Sequence, residues 1–139
     1  MESCLFCRIV ADTTVAHVVH ESAAAVAFLD AFPVARPHVL VVPRLHAPTL
    51  LDLDDAAVDG LFRAVKVVQQ KVQSSFQPMG FNVGWNHGRA AGQHVFHLHV
   101  HILPRYADGG LGVQSLGAGG NRSELAALAA ALRSSDVAH

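Results

Sequence analysis

With 139 residues, 51% of them hydrophobic and 15% charged, the chain has the composition of a packed domain and not of a disordered segment. Ten lysines and arginines against eleven aspartates and glutamates leave a net charge of −1, without the basic surplus of a chain that binds nucleic acid or membranes through charge alone. Ten histidines are the departure from ordinary composition.

The N-terminal Met1-Glu2-Ser3-Cys4 has no basic region followed by an apolar stretch, and no apolar run approaches a membrane span. A cytoplasmic protein is therefore expected, and in that reducing compartment Cys4 and Cys7 read as a metal or redox pair before a disulfide. Residues 5–10 make one or two helical turns. Residues 15–21 and 24–30 read as strands joined in a hairpin around Ser22. After a turn framed by Pro33 and Pro37, residues 38–42 form a run apolar on both faces, a central strand stopped by Pro43.

Asp52 or Asp54 then caps a helix, in which Val58, Leu61, Phe62, Val65, Val68 and Val72 recur at helical spacing. It covers 54–76 and ends before Pro78-Met79-Gly80. Residues 81–86 are a fourth strand and 87–93 a glycine-containing loop. Residues 96–103 are a fifth strand closed by Pro104. The glycine-rich stretch 108–121 reads as loop, and Ser123 caps a terminal helix over 123–133. Strands joined by short turns, with one main helix, indicate a single α+β domain over 1–139 with an antiparallel sheet.

On the fifth strand His97, His99 and His101 share one face, with Cα atoms roughly 6.5–7 Å apart along the row. Phe96, Leu98, Val100 and Ile102 form the opposite, core-facing row. Three imidazoles in strict alternation on an apolar backing are more than a solvated surface. Two chemistries fit them: a metal site of His-x-His type, or nucleophilic attack on phosphorus by a neutral imidazole with a neighbouring histidine assisting the leaving group. The first acid after His101 is Asp108, which weakens the metalloenzyme reading.

The run His97-Leu98-His99-Val100-His101-Ile102-Leu103 resembles the His-φ-His-φ-His-φ-φ signature (φ apolar) of the histidine-triad family, in its nucleotide-binding Hint branch of bacterial proteins. The likeness spans a core of about 4–105, leaving a C-terminal loop and helix over 106–139. It includes Phe28-Leu29-Asp30 before Pro33, the segment from His38 to His46, and Asn86, Gly92 and Gln93. The resemblance implies a HIT-like fold with a five-stranded antiparallel sheet and short terminal helices. It makes His99 the nucleophile that forms a nucleotidyl-histidine and places His101 at the phosphoryl or leaving group. Asn86, Gly92, Gln93 and position 94 form the phosphate side, Asp30 accepts the ribose hydroxyls, and Phe6, Ile9 and Phe28 wall the base. His94 departs from the small hydroxyl residue expected there. His87 and Arg89 share that loop and are available to further phosphates.

As in zinc-carrying members of the family, Cys4, Cys7, His46 and His97 would form a structural zinc site; a redox dithiol competes but lacks a thioredoxin-like βαβ context. His17, His20 and His139 read as exposed and inert, and His38 as a satisfied, half-buried residue. The resemblance also implies a homodimer through the helix at 54–76 and the strand at 81–86. Val67 and Phe76, apolar positions beyond the main stripe of that helix, fit such a surface. The expected activity is hydrolysis at the α-phosphate of adenosine phosphoramidates or related purine nucleotide adducts. Dinucleoside polyphosphate hydrolysis and nucleotide binding without catalysis are the alternatives. Nucleotidyl transfer is disfavoured because that branch carries Gln where this chain has His101.

Overall fold

The computed structural model describes residues 4–106 and 121–135. The glycine-rich stretch expected as loop, apart from Asn121, and His139 lie outside them. Five strands form one antiparallel sheet in the order β1-β2-β3-β5-β4, with β1 at Val18–Glu21, β2 at Ala25–Leu29, β3 at Val39–Pro43, β4 at Gly80–Gly84 and β5 at Val100–Arg105. Three helices accompany it: α1 (Leu5–Ala11), α2 (Asp55–Phe76) and α3 (Leu125–Arg133). The α+β class and the antiparallel sheet are as the sequence predicts. None of the described helices is long and apolar enough to cross a membrane.

The sheet has two differently covered faces. Ala25, Ala27 and Leu29 on β2, Val39 and Val41 on β3, and Val100 and Ile102 on β5 face the main core, against Leu61, Val65, Val68 and Val72 of α2 and Leu125, Leu128 and Leu132 of α3. The intervening residues Val26, Phe28, Leu40 and Val42 point the other way, where Phe6 and Ile9 of short α1 are the buried residues that cover them and Cys4, Val10, Ala16, Val18 and Val95 pack at the edge. Alternation along each strand makes this division. Cross-strand pairing then carries the thin side to the histidines: Phe28 opposes Leu40, and Leu40 opposes His101. The weakly covered face is where a site can open.

Helix α2 starts where expected, with the Asp54 carboxylate accepting from the Ala57 N–H at 2.8 Å. Gly60 within it is a close-approach position: a Cβ there would lie 2.4 Å from Cβ of Ala24 at the β1–β2 turn. The hairpin turn is held by Ser22, whose N–H donates to the Ala25 carbonyl while its hydroxyl accepts from the Ala25 N–H. Buried Lys71 donates to the Leu132 carbonyl at 3.3 Å and fastens α2 to the end of α3.

Several boundaries differ from the sequence expectation. Residues 13–15 are a 3-10 turn held by Asp12, so β1 begins only at Val18. Both prolines lie inside their strands, Pro43 as the last residue of β3 and Pro104 with β5 running on to Arg105. Pro43 belongs to β3 and opposes Ala25, and Pro104 belongs to β5 and opposes Phe81. The Arg105 carbonyl accepts from Met79 on the β4 side, so the alternation turns Pro104 toward β3, whose pairing has already stopped at Ile102. No ladder bond is lost there. Strand β5 begins at Val100 and not at 96, because the preceding backbone leaves the sheet to bond the 46–48 segment, with the Leu98 N–H on the Ala47 carbonyl at 2.8 Å. Phe96 accordingly is 40% exposed and lies outside the core row. Ser123 is not the helix cap; Asn121 caps a 3-10 turn at Arg122–Glu124 that leads into α3.

Candidate active site

The four histidines near the start of β5 and β3 are each oriented by one hydrogen bond, and that bond decides which nitrogen remains available. His97 is fully buried, and its Nε2–H donates to the Pro43 carbonyl at 2.8 Å. Its Nδ1 lone pair therefore faces the sulfurs of Cys4 and Cys7, each at 3.5 Å. His99 is turned the other way: Nδ1–H donates to the His97 carbonyl at 2.8 Å, which leaves the Nε2 lone pair free. Its ring packs edge-on against Phe6, with centroids 5.1 Å apart.

His101 is set by His38. The Val34 N–H donates to His38 Nδ1 at 3.1 Å, so the proton of a neutral His38 sits on Nε2 and is donated to His101 Nδ1 at 2.9 Å. His101 then carries its own proton on Nε2. Burial, followed by the neighbouring His99 and Arg105, pushes His38 down to about 4. Burial first, then His38 and His99, pushes His101 down to about 4, against the opposing pull of Asp30. Burial also lowers His99, partly countered by its bond to the His97 carbonyl and by Asp30. All three are neutral imidazoles at neutral pH, as the tautomers require.

Two cavities meet at this row. One, of about 520 Å³, is lined by Phe6, Ile9, Phe28 and Leu40 and reaches Asp30 and His99. The other, of about 570 Å³, is lined by Asn86, Gly92, His38 and His101 and also reaches Asp30. The apolar chamber suits a planar base, and the polar one, an oxyanion. Asp30 stands between them: Oδ1 accepts from the Phe32 N–H at 2.9 Å, and Oδ2 lies 3.6 Å from His38 Nε2. Gly92 has φ +96°, and a Cβ there would press within 3.4 Å of the Asn86 amide nitrogen.

The remaining phosphate-side expectations separate. The amide of buried Gln93 is engaged within the chain: Oε1 accepts from Gly88 N–H at 2.8 Å, while Nε2 donates to the Pro48 and Val95 carbonyls at 2.7 and 3.1 Å. It braces the loop behind Asn86 and Gly92. His94, His87 and Arg89 are exposed and line neither chamber, and the Arg89 guanidinium sits 5.6 Å from the Phe96 ring centroid. Arg105 Nε donates to Asn82 Oδ1 at 2.8 Å. His17, expected to be inert, is at the rim of the apolar chamber. Two residues that sequence reasoning did not select stand in the site: His38, through its bond to His101, and Arg122, which lines the apolar chamber from the segment before α3. For His38 the signal was its even spacing from Leu40 and Val42 on one strand face. For Arg122 there was none.

Cys4, Cys7, His46 and His97 converge beside this row, with all four ligand atoms within 4.8 Å of one another. Cys4 caps α1 by accepting from the Cys7 N–H at 3.4 Å, which turns both sulfurs to the same side. Cys7 Sγ is 3.2 Å from His46 Nδ1, beside the two 3.5 Å contacts to His97. A sulfur and a nitrogen on tetrahedral zinc stand about 3.5 Å apart, so the donor set and its spacing fit that ion. Asp30, His38 and His101 are a second convergent group. Their geometry is different. The His38 and His101 ring centroids are 5.2 Å apart, little more than the N···N distance plus the two ring radii, so the nitrogens point at each other and share a proton instead of aiming at a common centre.

The HIT domain family model matches residues 12–108. Protein hit of Bacillus subtilis is 38% identical over 108 residues, 78% of this chain and 74% of its own length. Adenosine 5'-monophosphoramidase hnt1 of Schizosaccharomyces pombe is 38% identical over 112 residues, 80% of this chain and 81% of its own. A zinc-bound histidine triad family protein from Mycobacterium smegmatis superposes with a TM-score of 0.77 at 33% identity, covering 94% of each chain.

Proposed function

The chain belongs to the HIT domain family, and from that membership we propose that it hydrolyses nucleotide adducts at the α-phosphorus and releases a nucleoside monophosphate. The observation that carries this is the state of His99: a neutral imidazole whose Nδ1–H is bonded to the His97 carbonyl, whose Nε2 is free, and whose ring lines the apolar chamber beside His101, which lines the polar one. Phe6, Ile9 and Phe28 receive the base and Asp30 the ribose hydroxyls. Asn86 and the backbone at Gly92 receive phosphate oxygens, with Gln93 holding their loop in place. His94 stands outside the phosphate chamber, which leaves Asn86 and His101 as its side-chain donors.

His99 Nε2 attacks phosphorus as the bond to the leaving nitrogen breaks, giving a cationic phosphorylated imidazole that keeps its Nδ1–H on the His97 carbonyl. The leaving amine needs one proton. The proton enters with the substrate on the phosphoramidate nitrogen, so the amine leaves neutral while the Nε2–H of neutral His101 donates to a phosphoryl oxygen. Water then attacks phosphorus, its proton passes to solvent, and the N–P bond breaks to restore neutral His99. The His38 bond at Nδ1 keeps the donating Nε2–H of His101 facing the phosphate.

Zinc held by Cys4, Cys7, His46 and His97 would be structural, a closed four-ligand site that ties α1 to the ends of β3 and β5. The zinc-bound relative supports it. We also infer a homodimer. Among the described residues strand β4 is a sheet edge that pairs with β5 alone, and Met79 before it and Val83 within it are exposed. The face of α2 contributes less than the sequence suggests, since Val67 and Phe76 are half-buried and Arg36 lies over the Phe76 ring. A cytoplasmic location remains part of this reading, as for a protein acting on soluble nucleotides.

Phosphoramidates are preferred over dinucleoside polyphosphates because no lysine or arginine among the described residues lines the phosphate chamber. A polyphosphate tail needs such partners, whereas a nitrogen leaving group needs a proton. Adenosine phosphoramidate and diadenosine tetraphosphate competing in one tube should show the higher kcat/KM for the phosphoramidate. Preference for the dinucleotide, lost in His94→Ser, would reverse the assignment, and nucleotide binding without turnover of either would make the chain a binder.

A further inference from the structure

Arg122 is the one lysine or arginine that lines either chamber among the described residues, and it lines the apolar one. Its place is fixed by the turn that carries it. Asn121 Oδ1 accepts from the Ser123 N–H at 3.0 Å and from the Ser123 hydroxyl at 2.8 Å. Glu124 Oε2 meets Arg36 Nε at 2.7 Å, tying the turn to the loop that bears Asp30 and Phe32. Leu125, Leu128 and Leu132 then anchor the following helix in the main core. On this mounting the guanidinium carbon stands 4.5 Å from the centroid of the Phe32 ring, itself 71% exposed.

A large aromatic left in solvent with a guanidinium over it, at the mouth of an apolar chamber, is a surface awaiting a planar ligand. One face of the guanidinium covers Phe32. Its edge keeps N–H donors for ring nitrogens or carbonyls, and its plane is suited to stacking. The opposite wall is Phe6 with Phe28, edge-packed at 5.4 Å. The charge is not placed for phosphate, because Arg122 is absent from the chamber that holds Asn86, Gly92 and His101.

We propose that Arg122, positioned over Phe32, is a base-recognition residue that stacks on the purine of the bound nucleotide. This rests on the nucleotide reading given above. It gives the C-terminal segment a role in specificity that the histidine run does not supply.

Binding of AMP, GMP and ribose 5-phosphate to the full chain and to R122A and R122K, followed by NMR chemical shifts or calorimetry, tests it. R122A should weaken both purine nucleotides by roughly three- to thirtyfold and leave ribose 5-phosphate unchanged. R122K keeps the charge but not the plane, and should behave like R122A. Wild-type affinity for the purine nucleotides in both variants would overturn the inference while leaving the nucleotide reading intact. Equal weakening of all three ligands in R122A, restored in R122K, would also overturn it by assigning the charge to phosphate. A wild-type chain that binds none of the three would overturn the nucleotide reading and this inference with it.

Discussion

His97 and His99 are two residues apart, yet their rings are oriented oppositely and the proposed function gives them different chemistries. His97 gives its Nε2–H to the Pro43 carbonyl and turns Nδ1 to two sulfurs in a four-residue cluster of which it is the buried member. His99 gives its Nδ1–H to the His97 carbonyl and turns Nε2 to an open groove. The side-chain type and strand face are the same. The difference is made by which backbone carbonyl lies in reach, which fixes the tautomer and with it the function of the free nitrogen. On the proposed function, one end of the run holds a metal and the other reacts.

The metal end can be broken without touching the reactive end. Cys4→Ser or Cys7→Ser should remove zinc from a protein that otherwise carries about one ion per chain, and lower Tm by on the order of 10 °C. The rate per folded molecule should change far less than Tm. Metal analysis of the wild type showing no zinc, with both thiols freely titratable, would dissolve the contrast between the two ends.

His38 sharpens the comparison from the reactive side. His38 and His101 both titrate near 4 when folded against an ordinary value of 6.5, so the folded state binds fewer protons than the unfolded chain between those values. Their contribution to stability is complete above about pH 6.5 and is lost as pH falls through 4, a loss on the order of 3 kcal/mol for each group. In His38→Ala this slope should flatten in denaturant titrations taken at several pH values. Turnover should fall about ten- to a hundredfold at neutral pH, because His101 loses the bond that sets its tautomer. A mutant with the wild-type slope and rate would show that the pair does not act as described.

The smallest effect concerns neither end. Light scattering at micromolar concentration should report twice the mass of the 14.7 kDa chain, and a charged substitution at Val83 on the β4 edge should lower it. A wild-type monomer would remove the dimer from the account.

The parts of this arrangement that were legible in the sequence are those with local causes. The α2 stripe, its Asp54 cap, the β3 run and the Ser22 hairpin repeat or punctuate over a few residues, and the structure has them near where periodicity puts them. The alternation of His97, His99 and His101 likewise survives, although only His101 lies within β5. What escaped depends on partners far along the chain. The start of β5 is set by the Leu98 bond to Ala47, and Pro104 is tolerated because β3 has ended beside it. His38 finds His101, and Arg122 finds Phe32, only through sheet register and the docking of the segment before α3. Gln93 looked like a ligand donor by position, but burial engages both ends of its amide within the loop.

The open nitrogen of His99 is the centre of the account, and a covalent adduct tests it directly. Wild-type protein mixed with adenosine phosphoramidate and quenched without acid should show by intact mass one adenylyl group, located on His99 by peptide mapping. His99→Ala should show neither the adduct nor hydrolysis while still binding AMP. Full turnover by His99→Ala, or an adduct located on another histidine, would contradict the assignment of the reactive end of the run.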